Sequence, residues 1–163
     1  MEIDTTGAGE RQDHAIVEAI MGASRVLVAV AARSLAEVGE DVTLSQYRAL
    51  VVLASRGPQR VASLADALAV TPPTATRMSD RLVRKGLVRR RTSREDRRQV
   101  LVSLTPTGRE LVAEVTRRRR MEIARVVDQI PAGDQAAMID AFSTLAGAAG
   151  EVPDHDWGVD WEL

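Results

Sequence analysis

Arginine spacing carries the chemistry of this sequence. Between residues 77 and 98 stand Arg77, Arg81, Arg84, Lys85, Arg89, Arg90, Arg91, Arg94, Arg97 and Arg98, against only Asp80, Glu95 and Asp96. That stretch carries +7 while the whole chain carries −1, so the remainder is −8. Local clustering of this kind predicts a polyanionic partner better than the overall charge does. All but one of the ten cations are arginines, whose planar fork suits two-pronged contacts to phosphate and guanine. The bland alternative is a solvated charged face. Against it stands the spacing, which gathers the arginines on one helical face and one hairpin.

Other chemistries find no residues to carry them. The chain has no cysteine, which removes disulfides, thiolate metal sites and cysteine-based peroxide sensing. His14 and His155 are far apart in sequence and lack a neighbouring carboxylate cluster, so no metal site and no cofactor are expected. There is no glycine-rich phosphate loop and no convincing acid–base pair, and we expect no enzyme.

The elements that position the arginines follow from local signals. Thr71-Pro72 is a helix start, a hydroxyl followed by proline at the first helical position. Over residues 72–85, Ala75, Met78 and Leu82 recur at helical spacing as a buried face, which leaves Thr74, Arg77, Arg81 and Arg84 opposite. Gly86 closes the helix as a left-handed cap. Leu87-Val88 opens a strand, and the Val100, Val102, Leu104 alternation is its partner across a basic turn. Upstream, Ser45 is read as the cap of a helix carrying Leu50, Val51, Leu53 and Ala54, ending before Gly57-Pro58. Val61 reads as extended, and Ser63 with Asp66 as the near capping box of a further helix through Leu64 and Leu68. Two short helices around a tight Ala69-Val70 turn, then a basic hairpin, predict a winged helix-turn-helix.

The flanks predict helices that the central module cannot cover alone. The division expected is a flexible N-terminus at 1–12, a dimerisation helix in 13–40, the winged helix-turn-helix at 41–104, dimerisation helices in 105–150 and an acidic tail at 151–163. The first long helix has a wide apolar face through Ile16, Ile20, Ala23, Leu27, Val30 and Leu35, part of which reads as subunit interface. Thr105-Pro106 launches another, running to about Ile130 and interrupted by Arg117, Arg118, Arg119 and Arg120. Two roles are open to that run, an anionic contact or salt bridging within the assembly. Asp134 is read as the start of a last helix with Ala137, Met138, Ala141, Phe142 and Leu145. In the tail, Trp157 and Trp161 lie among acids, either as a flexible end, as a cover for the interface or as a mimic of DNA. No uninterrupted apolar run approaches the roughly 20 residues needed to cross a bilayer, so the expectation is a cytoplasmic protein with no membrane partner. The fold class expected is mainly α with a small β-hairpin wing.

Asp96-Arg97-Arg98, Val102, Leu104-Thr105 and Gly108 resemble the wing signature of MarR-type (multiple antibiotic resistance) regulators. Leu64-Ala65, Thr71, Arg81-Leu82 and Gly86-Leu87-Val88 extend the resemblance upstream. It implies a homodimer that presents two winged helices to a palindromic double-stranded operator, usually as a repressor. It points to Pro73, Thr74, Thr76 and Arg77 in the major groove, with Arg77 first choice for a base. Arg81 and Arg84 would hold phosphates, Arg94 and Arg97 would reach the minor groove, and Asp96 would pair with Arg98 to stiffen the wing. Family members commonly release DNA on binding a small, often aromatic or phenolic, effector. Met21, Arg25, Tyr47 and Val51 are the neighbours such a cleft would have, with ordinary packing as the alternative. A rival reading keeps the fold but gives it an acidic protein partner or DNA bound without sequence preference.

Overall fold

Six helices and a three-stranded antiparallel sheet make up the computed structural model, which describes residues 6–38, 41–92 and 99–151. In chain order these are α1 (Thr6–Ala36), α2 (Leu44–Arg56), β1 (Gln59–Arg60), α3 (Val61–Ala67), α4 (Pro72–Arg84), β2 (Val88–Thr92), β3 (Val100–Leu104), α5 (Pro106–Val127) and α6 (Ala132–Ala148). The sheet order is β1-β3-β2, with Val88 opposite Leu104 and Thr92 opposite Val100. The core lies where α2, α3 and α4 meet the sheet and α5. Leu50, Leu64, Leu82, Leu87, Val102 and Val112 are all buried there.

Several starts differ from the sequence expectation, each for a local reason. Thr43, not Ser45, caps α2: its Oγ1 accepts from Gln46 N at 3.2 Å, and Gln46 Oε1 accepts from Thr43 N at 3.3 Å. This reciprocal box satisfies two otherwise free donors, which a cap at Ser45 would not. Val61 is the first residue of α3 rather than extended, because the sheet pairing stops at Arg60. Ser63 therefore lies inside the helix, and Arg60 holds the cap position with no side-chain bond. The Ala69-Val70 turn is tight, with Ala69 at φ 51°. Thr71 caps α4 by backbone alone, and its hydroxyl lies 3.0 Å from that of Thr74. Gly86 takes φ 71° directly after α4, the left-handed position that favours glycine.

The flanking helices are long and thinly covered. Helix α1 starts at Thr6, so residues placed in a flexible N-terminus are helical from there on, and α6 starts at Ala132, two residues before Asp134. Val30, Ser34 and Leu35 are buried on α1, while Ile16, Val17, Ile20, Met21, Val26 and Val28 are exposed. No residue of α6 is buried. By length and composition alone, Gln12–Ala36 could cross a membrane, a property that an uninterrupted-run criterion passes over because Glu18, Arg25 and Arg33 punctuate it. Helices that are covered by a second subunit share that composition, so the feature is weak support for insertion.

Helix α1 is tied to α5 by ions. Arg33 Nη2 lies 2.8 Å from Glu122 Oε2, Ser34 Oγ donates to Glu122 Oε1 at 3.1 Å, and Arg118 Nη1 lies 2.7 Å from Glu37. The arginine run is thus partly absorbed by salt bridges within one chain. Glu114 takes both Arg117 and Arg118, at 2.7 and 2.6 Å. Those two guanidinium groups, Arg117 first, hold the Glu114 carboxyl down at about 2. Next to them on α5, Arg119 is half-buried, its Nε without a hydrogen-bond partner.

Candidate nucleic-acid interface

Helix α4 is held by one face and offers the other. Ala75, Ser79 and Leu82 are buried, which fixes its rotation about its own axis. Pro73, Thr76, Arg77, Arg81 and Arg84 are then exposed, and Thr74 is half-buried. Near the N-terminus of α4, Thr76 Oγ1 donates to the Pro72 carbonyl at 2.9 Å and Arg77 Nη2 lies 3.4 Å from Thr74 Oγ1. The second contact holds the arginine along the helix surface without neutralising it. A cleft of about 250 Å³ separates the start of α2 from α4, with Ser45 and Gln46 on one wall and Arg77 and Arg81 on the other. Lys85 bonds Asp41, through both its carbonyl and its carboxylate, and so fixes the far end of α4 to the chain before α2.

The wing is joined to this helix by two devices that the sequence reading missed. Arg90 Nη2 lies 2.7 Å from Asp80, so one of the basic hairpin residues is spent on holding β2 to α4. The signal was present, since Asp80 is the lone acid on an arginine-bearing helix. The second device is at the base of the wing. Thr105 N donates to the Leu87 carbonyl at 3.1 Å, Thr105 Oγ1 donates to the Gly86 carbonyl at 2.6 Å and accepts from Gly108 N at 3.0 Å. One threonine thus caps α5 and clamps it to the end of α4.

The strand pleat divides the basic hairpin. Arg90 turns toward α4, so Arg89 and Arg91 belong to the opposite face of β2. The described hairpin arginines therefore fall on two faces of β2. Arg94, Arg97 and the Asp96–Arg98 pair lie outside the described residues, as do Trp157 and Trp161.

The four residues named for an effector cleft are separated by burial. Tyr47 and Val51 are core residues of α2, one turn apart, and the Tyr47 hydroxyl lies 3.2 Å from Thr116 Oγ1. Met21 and Arg25 are one turn apart on α1 and exposed. The apolar groove on the flanking helices, about 460 Å³ between α1, α5 and α6, is lined by other residues, including Leu27, Ile123, Val126, Met138 and Phe142. Among the described residues no group of three or more histidine, cysteine or carboxylate side chains could hold a metal.

Two helices joined by a tight turn, the second presenting arginines and followed by a β wing packed on its end, define a winged-helix DNA-binding protein. The chain belongs to the MarR family of transcriptional regulators: the MarR family model matches residues 42–100. A crystal structure of RV1404 from Mycobacterium tuberculosis superposes with a TM-score of 0.81 at 40% identity, covering 86% of this chain and 96% of that one. The transcriptional repressor MdtR of Bacillus subtilis is 31% identical over 110 residues, 68% of this chain and 71% of the relative. A Staphylococcus aureus MepR F27L mutant, solved bound to an oligodeoxyribonucleotide, shares the fold at 22% identity and TM-score 0.59, over 82% of this chain and 97% of that one. Family membership makes the protein a transcriptional regulator, not an enzyme.

Proposed function

We propose that this regulator is a cytoplasmic homodimeric repressor that binds a palindromic double-stranded operator and leaves it when a small aromatic or phenolic effector binds. The observation that carries the DNA contact is the exposed Arg77, Arg81, Arg84 face on a helix whose rotation is fixed by Ala75, Ser79 and Leu82. Arg77 reads a base and Arg81 and Arg84 hold phosphates, while Arg94 and Arg97 follow the minor groove. Repression is supported by the likeness to MdtR, and DNA as the partner by the fold shared with the DNA-bound MepR mutant. Dimerisation is supported by the apolar faces of α1 and α6, which one chain leaves open.

Fluorescence anisotropy on DNA from the protein's own upstream intergenic region, against scrambled DNA of equal length over a salt series, tests this reading. The expected preference is about a thousandfold or more, as for specific binders generally. A steep salt slope on both DNAs with no preference would refute sequence-specific binding to that region and favour a general polyanion binder.

A further inference from the structure

We propose that the cleft between the base of the wing, the end of α2 and the start of α5 binds a small organic anion carrying a carboxylate or phosphate group. Arg89 and Arg91 occupy the β2 face turned away from α4, and Ser103 stands directly across the ladder from Arg89. From α5, Arg109 enters the same space, its Nη1 3.5 Å from the Leu104 carbonyl. With Leu53 and Ala54 of α2 they line a cleft of about 490 Å³, within the range of sites that take drug-sized molecules.

Two observations point to an anion. The first is charge: the lining holds three guanidinium groups and no carboxylate. Among the described residues Arg89 and Arg91 have no salt-bridge partner, whereas their neighbour Arg90 does. The second is Ser103, which is 6% exposed and whose Oγ has no hydrogen-bond partner. Leaving a buried hydroxyl unpaired is costly, so such groups are ordinarily completed by something. A hydroxyl donor flanked by guanidinium forks is complementary to an oxyanion, and the two apolar α2 side chains suit the body that carries it.

The cleft also joins three elements. Arg89 and Ser103 belong to the wing, Arg109 to α5, and Leu53 to α2. An anion bridging them sets the angle of the wing against α5 from the side that leaves the Arg77 face open.

Inorganic phosphate, titrated into the full chain at constant ionic strength and followed by 15N NMR, tests the site. Saturable shifts are expected at the Arg89, Ser103 and Arg109 signals, with affinity reduced about tenfold or more in Ser103→Ala and in Arg109→Gln. Ser103→Ala removes only an unpartnered oxygen, so the fold should survive it. Linear drift without saturation, equal shifts in both variants, or largest shifts at Arg77, Arg81 and Arg84 would overturn the proposal. So would loss of double-stranded DNA affinity by Arg109→Gln in phosphate-free buffer, because the cleft would then hold the DNA backbone.

Discussion

Replacing Gly108 with alanine should do more damage than one methyl group normally does. The glycine sits in the first turn of α5, and an added Cβ would lie 2.0 Å from the Leu87 carbonyl oxygen, 3.0 Å from its carbon and 3.3 Å from Leu104 Cδ2. Carbon and oxygen come no closer than about 3 Å without strong repulsion, so α5 or the Leu87 peptide must move by about 1 Å. Neither is free to do so. The Leu87 carbonyl accepts from Thr105 N at 3.1 Å, and Gly108 N donates to Thr105 Oγ1 at 3.0 Å. Overpacking costs about 1–3 kcal/mol, and weakening two of these bonds adds about 1 kcal/mol each at most. The expected loss is about 3 kcal/mol, or roughly 6–12 °C in Tm for a chain of this size. Urea unfolding followed by circular dichroism measures it, with thermal melts alongside. Because the joint sets the wing on α4, DNA affinity at a temperature where the variant is folded should also fall. A Gly108→Ala protein within about 0.5 kcal/mol of the parent would refute the claim that close approach at this joint excludes a side chain.

Arg77→Ala should lose discrimination between operator and scrambled DNA, by roughly 1–3 kcal/mol in competition titrations, and keep most non-specific affinity; equal loss on both DNAs would make Arg77 a phosphate contact. Leu82→Ala removes a fully buried side chain from the core under α4, and denaturant unfolding should show a loss of about 2–5 kcal/mol. Acid should weaken the Arg33–Glu122 tie between α1 and α5 and the Glu114 pairs within α5. Glu114, held at about 2 by Arg117 and Arg118, and Glu122, lowered chiefly by Arg33, both have folded values below their ordinary 4.5. Their stabilisation is complete above 4.5 and is lost as pH falls through the lowered folded values, about 2 for Glu114, which urea midpoints at neutral pH and pH 3 would register; since these groups meet solvent, the drop should be small and shrink in salt. Ile139→Asp, on the open face of α6, should leave a folded chain that sediments as a monomer where the parent sediments as a dimer.

What was legible in the sequence was what depends on local chemistry. Pro72 at a helix start, Gly86 at its end and the spacing of Ala75 and Leu82 place α4 and its arginine face, because each acts within a few residues. Strand β3 followed from the alternation of Val100, Val102 and Leu104 for the same reason. Contacts between distant residues were not legible. Asp80 stood out as the lone acid on its helix, but nothing local names Arg90 as its partner, or says that Lys85 turns back to Asp41 or that Thr105 binds the Gly86 carbonyl. The caps at Thr43 and Arg60 were misplaced because Ser45 and Ser63 carry suitable hydroxyls, and only the start of the backbone turn decides which residue holds the cap position. The hairpin arginines were taken together, since summing charge ignores the pleat that sends Arg89 and Arg91 away from Arg90.

The flanking helices show why a chain can look well patterned in sequence and be incomplete in space. Helix α6 has apolar residues at helical spacing, yet Ile139 is 66% exposed and no residue of the helix is buried. Exposing Ile139, Phe142 and Leu145 beside Val26 and Leu27 of α1 forgoes burial worth about 25 cal/mol per Å² of apolar surface. A proposed second copy recovers that burial and brings two α4 helices into a fixed relation, which is what a palindromic operator requires. Affinity for DNA and stability would then be linked through subunit concentration: the melting temperature rises with protein concentration if folding and association are one equilibrium. A melting temperature constant over a hundredfold dilution, in a species that sediments as a monomer throughout, would sever that link and leave the apolar faces of α1 and α6 to some other partner.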